Sequence, residues 1–97
     1  MNKLIVDAIK AKKSIEYWYG EGMRKGEPHC YGKGNNGNDL LRIFQTEGVS
    51  ASGNTKGWKL LKVEEMKNIK ISEDSFSGAR PAYNPNDPTM QSYYARI

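Results

Sequence analysis

Ser14-Ile15-Glu16-Tyr17-Trp18-Tyr19, closed by Gly20-Glu21-Gly22, alternates on a two-residue period. Ile15, Tyr17 and Tyr19 take one face; Ser14, Glu16 and Trp18 take the other. Successive side chains of an extended backbone point to opposite faces, so this period predicts a half-buried strand. The residues before it follow another rule. Leu4, Ile5, Ala8 and Ile9 recur at helical spacing, with Lys3, Asp7, Lys10, Lys12 and Lys13 largely outside their stripe. Asn2 is placed to cap such a helix, and the lysines at its C-terminal end suit the helix dipole. About three turns are marginal alone, so the stripe needs strands to cover it.

Further along, a second strand is predicted from Met23 or Arg24 to Tyr31, broken or bulged at Pro28, because proline cannot donate to a ladder. Gly34-Asn35-Asn36-Gly37-Asn38 reads as a turn rich in residues that accept positive φ. The third strand, Leu40 to Gln45, places Leu41, Ile43 and Gln45 on one face and Leu40, Arg42 and Phe44 on the other. Apolar groups on both faces make it central. Residues 48–57 have a loop's composition. A fourth strand follows from Trp58 to Val63, then a single helical turn at Glu64-Glu65-Met66, then a fifth strand around Ile69 and Ile71. Five short strands behind one helix predict a mainly β domain over residues 1–76, a small and strongly bent barrel with the helix as its lid. From Ser77 the texture changes. Pro81, Pro85 and Pro88 among Asn84, Asn86 and Asp87 exclude a continuous helix or central strand. Residues 77–97 are expected as an extended tail on the barrel or on a neighbouring subunit, with Met90, Tyr93, Tyr94 and Ile97 as an apolar end that docks.

The chain has 97 residues, enough for one small core. Lys and Arg number 15 against 11 Asp and Glu, a net +4 that tilts the partner list toward anions. The charges are spread along the chain, without the concentrated basic block of a dedicated duplex binder. No apolar run approaches the roughly 20 residues of a membrane span, and the N-terminus lacks a signal peptide's apolar core. The one cysteine, Cys30, cannot form an internal disulfide and points to a reducing compartment. The expected location is therefore cytoplasmic, with no membrane partner.

Several segments together carry a family likeness. Asp7-Ala8-Ile9-Lys10 leads into Ile15-Glu16-Tyr17-Trp18-Tyr19. Glu27-Pro28-His29 precedes Gly32, Leu41-Arg42-Ile43-Phe44-Gln45 fills a strand, and Gly57-Trp58-Lys59-Leu60-Leu61 starts another. Over residues 5–97 the chain resembles WYL-type domains, and within them small free-standing bacterial and phage-type proteins. Those share a Glu-Pro-His segment, a Leu-Arg-x-x-Gln strand, a Ser/Gly-rich loop and a Gly-Trp-Lys strand. Their Arg-Pro-x-Tyr-Asn-Pro-Asn-Asp-Pro-type tail is matched here from Arg80 to Pro88. The resemblance implies a five-stranded Sm/SH3-like β-barrel that senses or regulates through a bound nucleotide or nucleic acid. Two departures qualify it: no winged helix precedes the domain, and Trp18-Tyr19 is followed by Gly20 rather than leucine.

Candidate site residues follow from chemistry and from that likeness. Arg42 sits mid-strand between apolar neighbours, where a guanidinium is expensive unless paired or facing a ligand, and it can grip a phosphate with two parallel bonds. The alternative for Arg42 is an internal salt bridge to Glu16, Glu27 or Glu47. Ser50, Ser52, Gly53 and Asn54 offer hydroxyls, an amide and glycine-permitted N–H groups for an anion nest, against the plainer reading of a solvated loop. Gly53-Asn54-Thr55-Lys56-Gly57 lacks the spacing and context of a nucleotide-hydrolase phosphate loop. Gln45 and Lys59 complete the expected anion pocket. His29 and Cys30 are sequence neighbours on opposite strand faces, so a nucleophile–base pair is not expected, and His29 is assigned a structural or ligand-contacting role. One Cys and one His do not make a metal set, and no cofactor is expected. Among the aromatics, Trp58 is a candidate stacking surface. Trp18, out of phase with the core face, is expected to be partly exposed as the floor of a base pocket or part of an interface.

The leading expectation is a non-catalytic binding module for a phosphate-bearing nucleotide or short oligonucleotide. It would serve as a sensor or regulatory subunit, or as a sponge for a nucleotide signal, a phage counter-defence role included. The alternatives are a single-stranded nucleic-acid binder of Sm type and a protein-interaction subunit anchored by Trp18, Tyr93 and Tyr94. Homo-oligomerisation through the tail or open strand edges is expected in each case.

Overall fold

The computed structural model describes residues 1–50 and 53–97. Asn2 starts the first element: its side chain accepts a hydrogen bond from the Ile5 N–H, and α1 runs Lys3–Ala11. Lys12 ends it in the left-handed region (φ 52°), its N–H returning to the Ala8 and Ile9 carbonyls. The buried stripe is Ile5, Val6, Ala8 and Ile9. Leu4, expected within it, is 45% exposed. The stripe is centred between Ile5 and Ile9, and the 100° step of a helix puts Leu4 at its margin.

The strands are β1 (Lys13–Tyr19), β2 (Gly22–Gly34), β3 (Asp39–Gly48), β4 (Gly57–Lys62), β5 (Lys67–Ser75) and β6 (Met90–Arg96), with a 3-10 turn at Val63–Glu65 between β4 and β5. The protein is mainly β with one N-terminal helix. Its antiparallel sheet is ordered β4-β3-β2-β1-β5, and β6 pairs with β2. As the two-faced pattern of its sequence implied, β3 lies inside the sheet.

Six strands replace the expected five. The apolar end of the tail is β6, which pairs with the C-terminal half of β2 (Gly32 opposite Tyr93) while the N-terminal half of β2 pairs with β1. Register shifts at Tyr31/Gly32 and Lys33/Gly34 interrupt the two-residue period that would have marked β6 in the sequence. A Cβ on Gly32 would lie 2.1 Å from the Ser92 carbonyl oxygen, so this crossing needs glycine. Pro28 sits at a register shift in β2, as its missing N–H requires.

Ile5, Ile9, Ile15, Tyr17, Tyr31, Leu41, Ile43 and Leu61 form the core between α1 and the inner sheet face. Each fully buried aliphatic side chain contributes about 1.5–3 kcal/mol. No helix among the described residues is long and apolar enough to cross a membrane.

Candidate anion site

Residues 77–89 form no helix or strand and cross the outer face of β2, β3 and β4. Arg80 bonds both carboxylate oxygens of Glu27 (2.8 and 2.9 Å), with its guanidinium 4.5 Å from the Phe44 ring centroid. The Trp58 indole N–H donates to the Pro81 carbonyl at 3.0 Å. Arg42 bonds both oxygens of Asp87 at 2.8 and 3.3 Å. Arg42 is therefore salt-bridged within the chain, and its partner is a residue of the tail rather than Glu16, Glu27 or Glu47. The sequence concealed the pair because its members lie 45 positions apart. A cleft of about 210 Å³ remains beside it, lined by Arg42, Trp58, Tyr83, Asn84, Asp87 and neighbours.

His29 is fully buried beneath this strap, with Trp58, Phe76 and Tyr83 at centroid distances of 4.7, 5.5 and 5.1 Å. The Arg80 N–H donates to Nε2 at 3.1 Å, so that nitrogen carries no proton, and Nδ1–H donates to the Glu27 carbonyl at 2.8 Å. Both ring nitrogens are engaged, and His29 fastens the tail to the sheet. Burial holds the imidazole below its ordinary value of 6.5, outweighing the Glu27 carbonyl bond and charge. A base depressed in the folded state contributes stability above its unfolded pKa, and that contribution declines as pH falls below about 6.5. It is the only histidine. An NMR titration of its ring should therefore show the neutral Nδ1–H form persisting below pH 6.5; a midpoint at or above 6.5 would contradict this geometry. The neighbouring Cys30 thiol is fully buried and pushed up to about 11, first by burial and then by the Asp87 charge. It is a poor nucleophile at neutral pH.

Gln45, Ser50, Asn54 and Lys59 assemble elsewhere, at the inner end of β3 and β4. Gln45 is fully buried, and its amide nitrogen donates to the Val49 and Thr55 carbonyls at 2.9 and 3.1 Å, clamping the two flanks of the loop. Lys59 Nζ donates to Ser50 Oγ and to the Asn54 carbonyl, both at 2.8 Å. Gly53, at φ +81°, closes a turn onto the Ser50 carbonyl. Ser52 lies outside the described residues. Trp18 lies on the sheet face opposite Tyr17 and Arg24 and takes no part in either set of hydrogen bonds. It is 38% exposed beside Met23 (48% exposed), its indole N–H on the Gly20 carbonyl at 3.1 Å.

The residue that sequence reading missed is Arg24. It is 7% exposed, lies opposite Tyr17 across the β1–β2 ladder, and faces inward with it. Its Nη1 donates to the Gln45 side-chain oxygen at 3.3 Å, and its guanidinium lies 5.1 Å from the Tyr19 ring centroid. No carboxylate pairs with it among the described residues, and its Nε has no hydrogen-bond partner. Among the described residues the other buried side-chain atom without a partner is the Tyr17 hydroxyl, on the facing residue. Burial drives the Tyr17 phenol well above its ordinary value, against the pull of Arg24's charge. Arg24 lines a cleft of about 400 Å³ with Gly20, Glu21, Val49 and Ser50. The signal was present in the sequence: Gly22, Arg24, Gly26 and Pro28 share a phase, and all four are buried.

No family model, curated protein or solved structure matches the chain.

Proposed function

We propose that this protein is a non-catalytic binding module for a phosphate-bearing ligand, a nucleotide or short oligonucleotide, held at the end of β2 and β3. One observation carries this reading: Arg24 is buried, has no carboxylate partner among the described residues, and borders an open cleft. A buried guanidinium without a counter-charge is costly, and an anion arriving from solvent relieves that cost. Lys59 reaches Ser50 on the rim of the same cleft and adds a second cation bonded there to neutral oxygens. The earlier expectation of Gln45, Ser50, Asn54 and Lys59 at the ligand is kept, with Arg24 taking the role first given to Arg42. His29, Trp58 and Arg42 act by holding the strap.

The path β4-β3-β2-β1-β5, with one N-terminal helix and a 3-10 turn before β5, is in keeping with an Sm/SH3-like barrel, and the WYL type is proposed with it from the sequence likeness alone. Such a module would act in the cytoplasm as a sensor subunit or as a sponge for a nucleotide signal. Self-association would use the open edges of β4 and β5, since β6 pairs within its own chain. A second reading, a protein-interaction subunit, is favoured by the adjacent exposed Trp18 and Met23. An Sm-type single-strand binder fits less well, because Trp18 and Arg24 occupy opposite sheet faces and cannot serve one strand together.

A thermal-shift comparison of 5′-mononucleotides with the matching nucleosides tests the proposal. At 100-fold above its dissociation constant a ligand adds about 2.7 kcal/mol, several degrees for a domain of this size. Nucleotides are expected to stabilise the protein and nucleosides not to. Equal responses, or none, would reject phosphate recognition and favour the interaction reading.

A further inference from the structure

Independently of the phosphate reading, we infer that the protein forms a two-fold symmetric dimer, in which the outer face of β1 and β2 packs against the same face of a second copy. The strap covers the outer face of β2 as far as the Arg80–Glu27 pair. Lys25 and Met23 follow on that face at the strand's two-residue spacing, and Met23 is exposed. Residues paired across neighbouring strands share a face, so the ladders define two rows there. The first runs Lys70, Glu16, Lys25, Glu47 over β5, β1, β2 and β3. The second sets Trp18 opposite Met23, with Lys67 on the far side of Trp18. An exposed tryptophan beside an exposed methionine is the kind of surface that an interface buries.

The order of the charges identifies the occupant. The first row alternates plus, minus, plus, minus, so reversing it exchanges every sign. A two-fold axis parallel to the strands, between β1 and β2, reverses the row and keeps each residue's position along the strand. It sets Glu47 over Lys70 of the second copy and Glu16 over its Lys25, so every charge in the row meets its opposite. The same operation sets Trp18 over Met23 of the second copy, a sulfur–aromatic contact. An axis along the row would set each charge over its own twin. The face is thus self-complementary in one orientation, as an isologous interface requires. Among the described residues Glu16 and Lys70 make no salt bridge within the chain, and Glu47 reaches Lys25 only at 3.8 Å. Lys25 is also held by Asp74, which fixes it in the row. Facing twisted sheets pack at about 30° to each other, so the pairs beside the axis meet most closely. Lys70 and Glu47 are long enough to span the remaining offset, and Glu47 borders a cleft of about 410 Å³ that can admit the incoming lysine. Trp18 and Met23 supply affinity and the charges set the orientation. None of these residues lines the cleft of Gly20, Glu21, Arg24, Val49 and Ser50.

Sedimentation equilibrium of the full chain at low salt, from micromolar to millimolar concentration, tests the interface. The unaltered protein is expected to reach a mass twice that of the chain. Glu47→Lys and Lys70→Glu alter exposed side chains, and each sets like charges together at both ends of the row. Either one alone should weaken dimerisation at least about tenfold. Mixed in equal amounts, the two variants should pair as tightly as the unaltered protein, because each then meets the opposite charge. Trp18→Ser should weaken self-association by at least about tenfold as well, with the protein still folded, since the indole is exposed. A monomer at millimolar concentration would overturn the inference. Self-association untouched by Trp18→Ser and by both charge reversals would overturn it too and place the contact at the strand edges. Charge variants whose mixture does not recover would rule out the two-fold arrangement. A check without variants is carbodiimide cross-linking of isotope-labelled with unlabelled protein. Glu47–Lys70 cross-links should join labelled to unlabelled chains, and cross-links confined within single chains would contradict the dimer. Failure of any of these leaves the phosphate reading standing.

Discussion

Arg24→Met is expected to lower affinity for a 5′-mononucleotide by about a hundredfold and to leave the protein as stable as before, or more so. The affinity loss corresponds to about 2.7 kcal/mol, within the range for a two-point contact between a guanidinium and an oxyanion. The stability effect has the opposite sign to most core substitutions. Arg24 is buried with no carboxylate partner among the described residues, and methionine is a long unbranched side chain that carries no charge. Exchanging a buried charge for a well-packed apolar side chain is often neutral or stabilising by about 1–4 kcal/mol. The loss of the Gln45 bond and of the contact with Tyr19 sets the lower end of that range. Titration calorimetry and urea denaturation on the same preparations read both effects. Strong destabilisation with unchanged affinity would make Arg24 a structural residue and move the ligand elsewhere.

Asp87→Ala should carry the larger cost to folding, about 3 kcal/mol, read as a lower denaturation midpoint. The Asp87 side chain is 5% exposed and that of Arg42 26%. Asp87 accepts two bonds from Arg42, and its Oδ1 also accepts from the Thr89 N–H and hydroxyl. Removing one partner of a buried pair costs about 3–5 kcal/mol because the other charge is stranded, and the partial exposure of Arg42 keeps the figure at the low end. The strap should loosen with it, so the Trp58 indole, tied to Pro81, should exchange faster and emit at longer wavelength. Burial pushes the Asp87 carboxyl up, but the bonds from Arg42 and Thr89 outweigh it and hold the group below its ordinary 3.8. A carboxyl depressed in the folded state contributes stability above its unfolded pKa and loses it as pH falls through the folded one. Stability should thus decline below about pH 4 in the wild type, and the share due to Asp87 should be absent in Asp87→Asn. An unchanged midpoint in Asp87→Ala would mean that the strap is not anchored there.

Where a side chain's partner is local, the sequence exposed the structure. The helix cap at Asn2, the two-residue period of β1 and the inward set Leu41, Ile43 and Gln45 all follow from neighbours a few positions away. Pairings set by the folded chain were hidden. Arg42 and Asp87, His29 and Arg80, and β6 on β2 join residues about 45 to 65 positions apart. Arg24 stayed hidden for another reason. An arginine between Met23 and Lys25 looks like part of a solvated surface, and only its phase with Gly22 and Gly26 turns it inward. The site proposed here was therefore half legible: the loop, Gln45 and Lys59 could be named from the sequence, and Arg24 could not.

The central claim is that an anion binds at Arg24, and the most direct measurement is a titration of nitrogen-labelled protein with a 5′-mononucleotide while following the arginine side-chain N–H resonances. The account predicts a saturable shift of the Arg24 Nε–H, together with the backbone signals of Gly20, Val49 and Ser50. Shifts centred on Arg42, Tyr83 and Asp87, or no shift at saturating nucleotide, would contradict it.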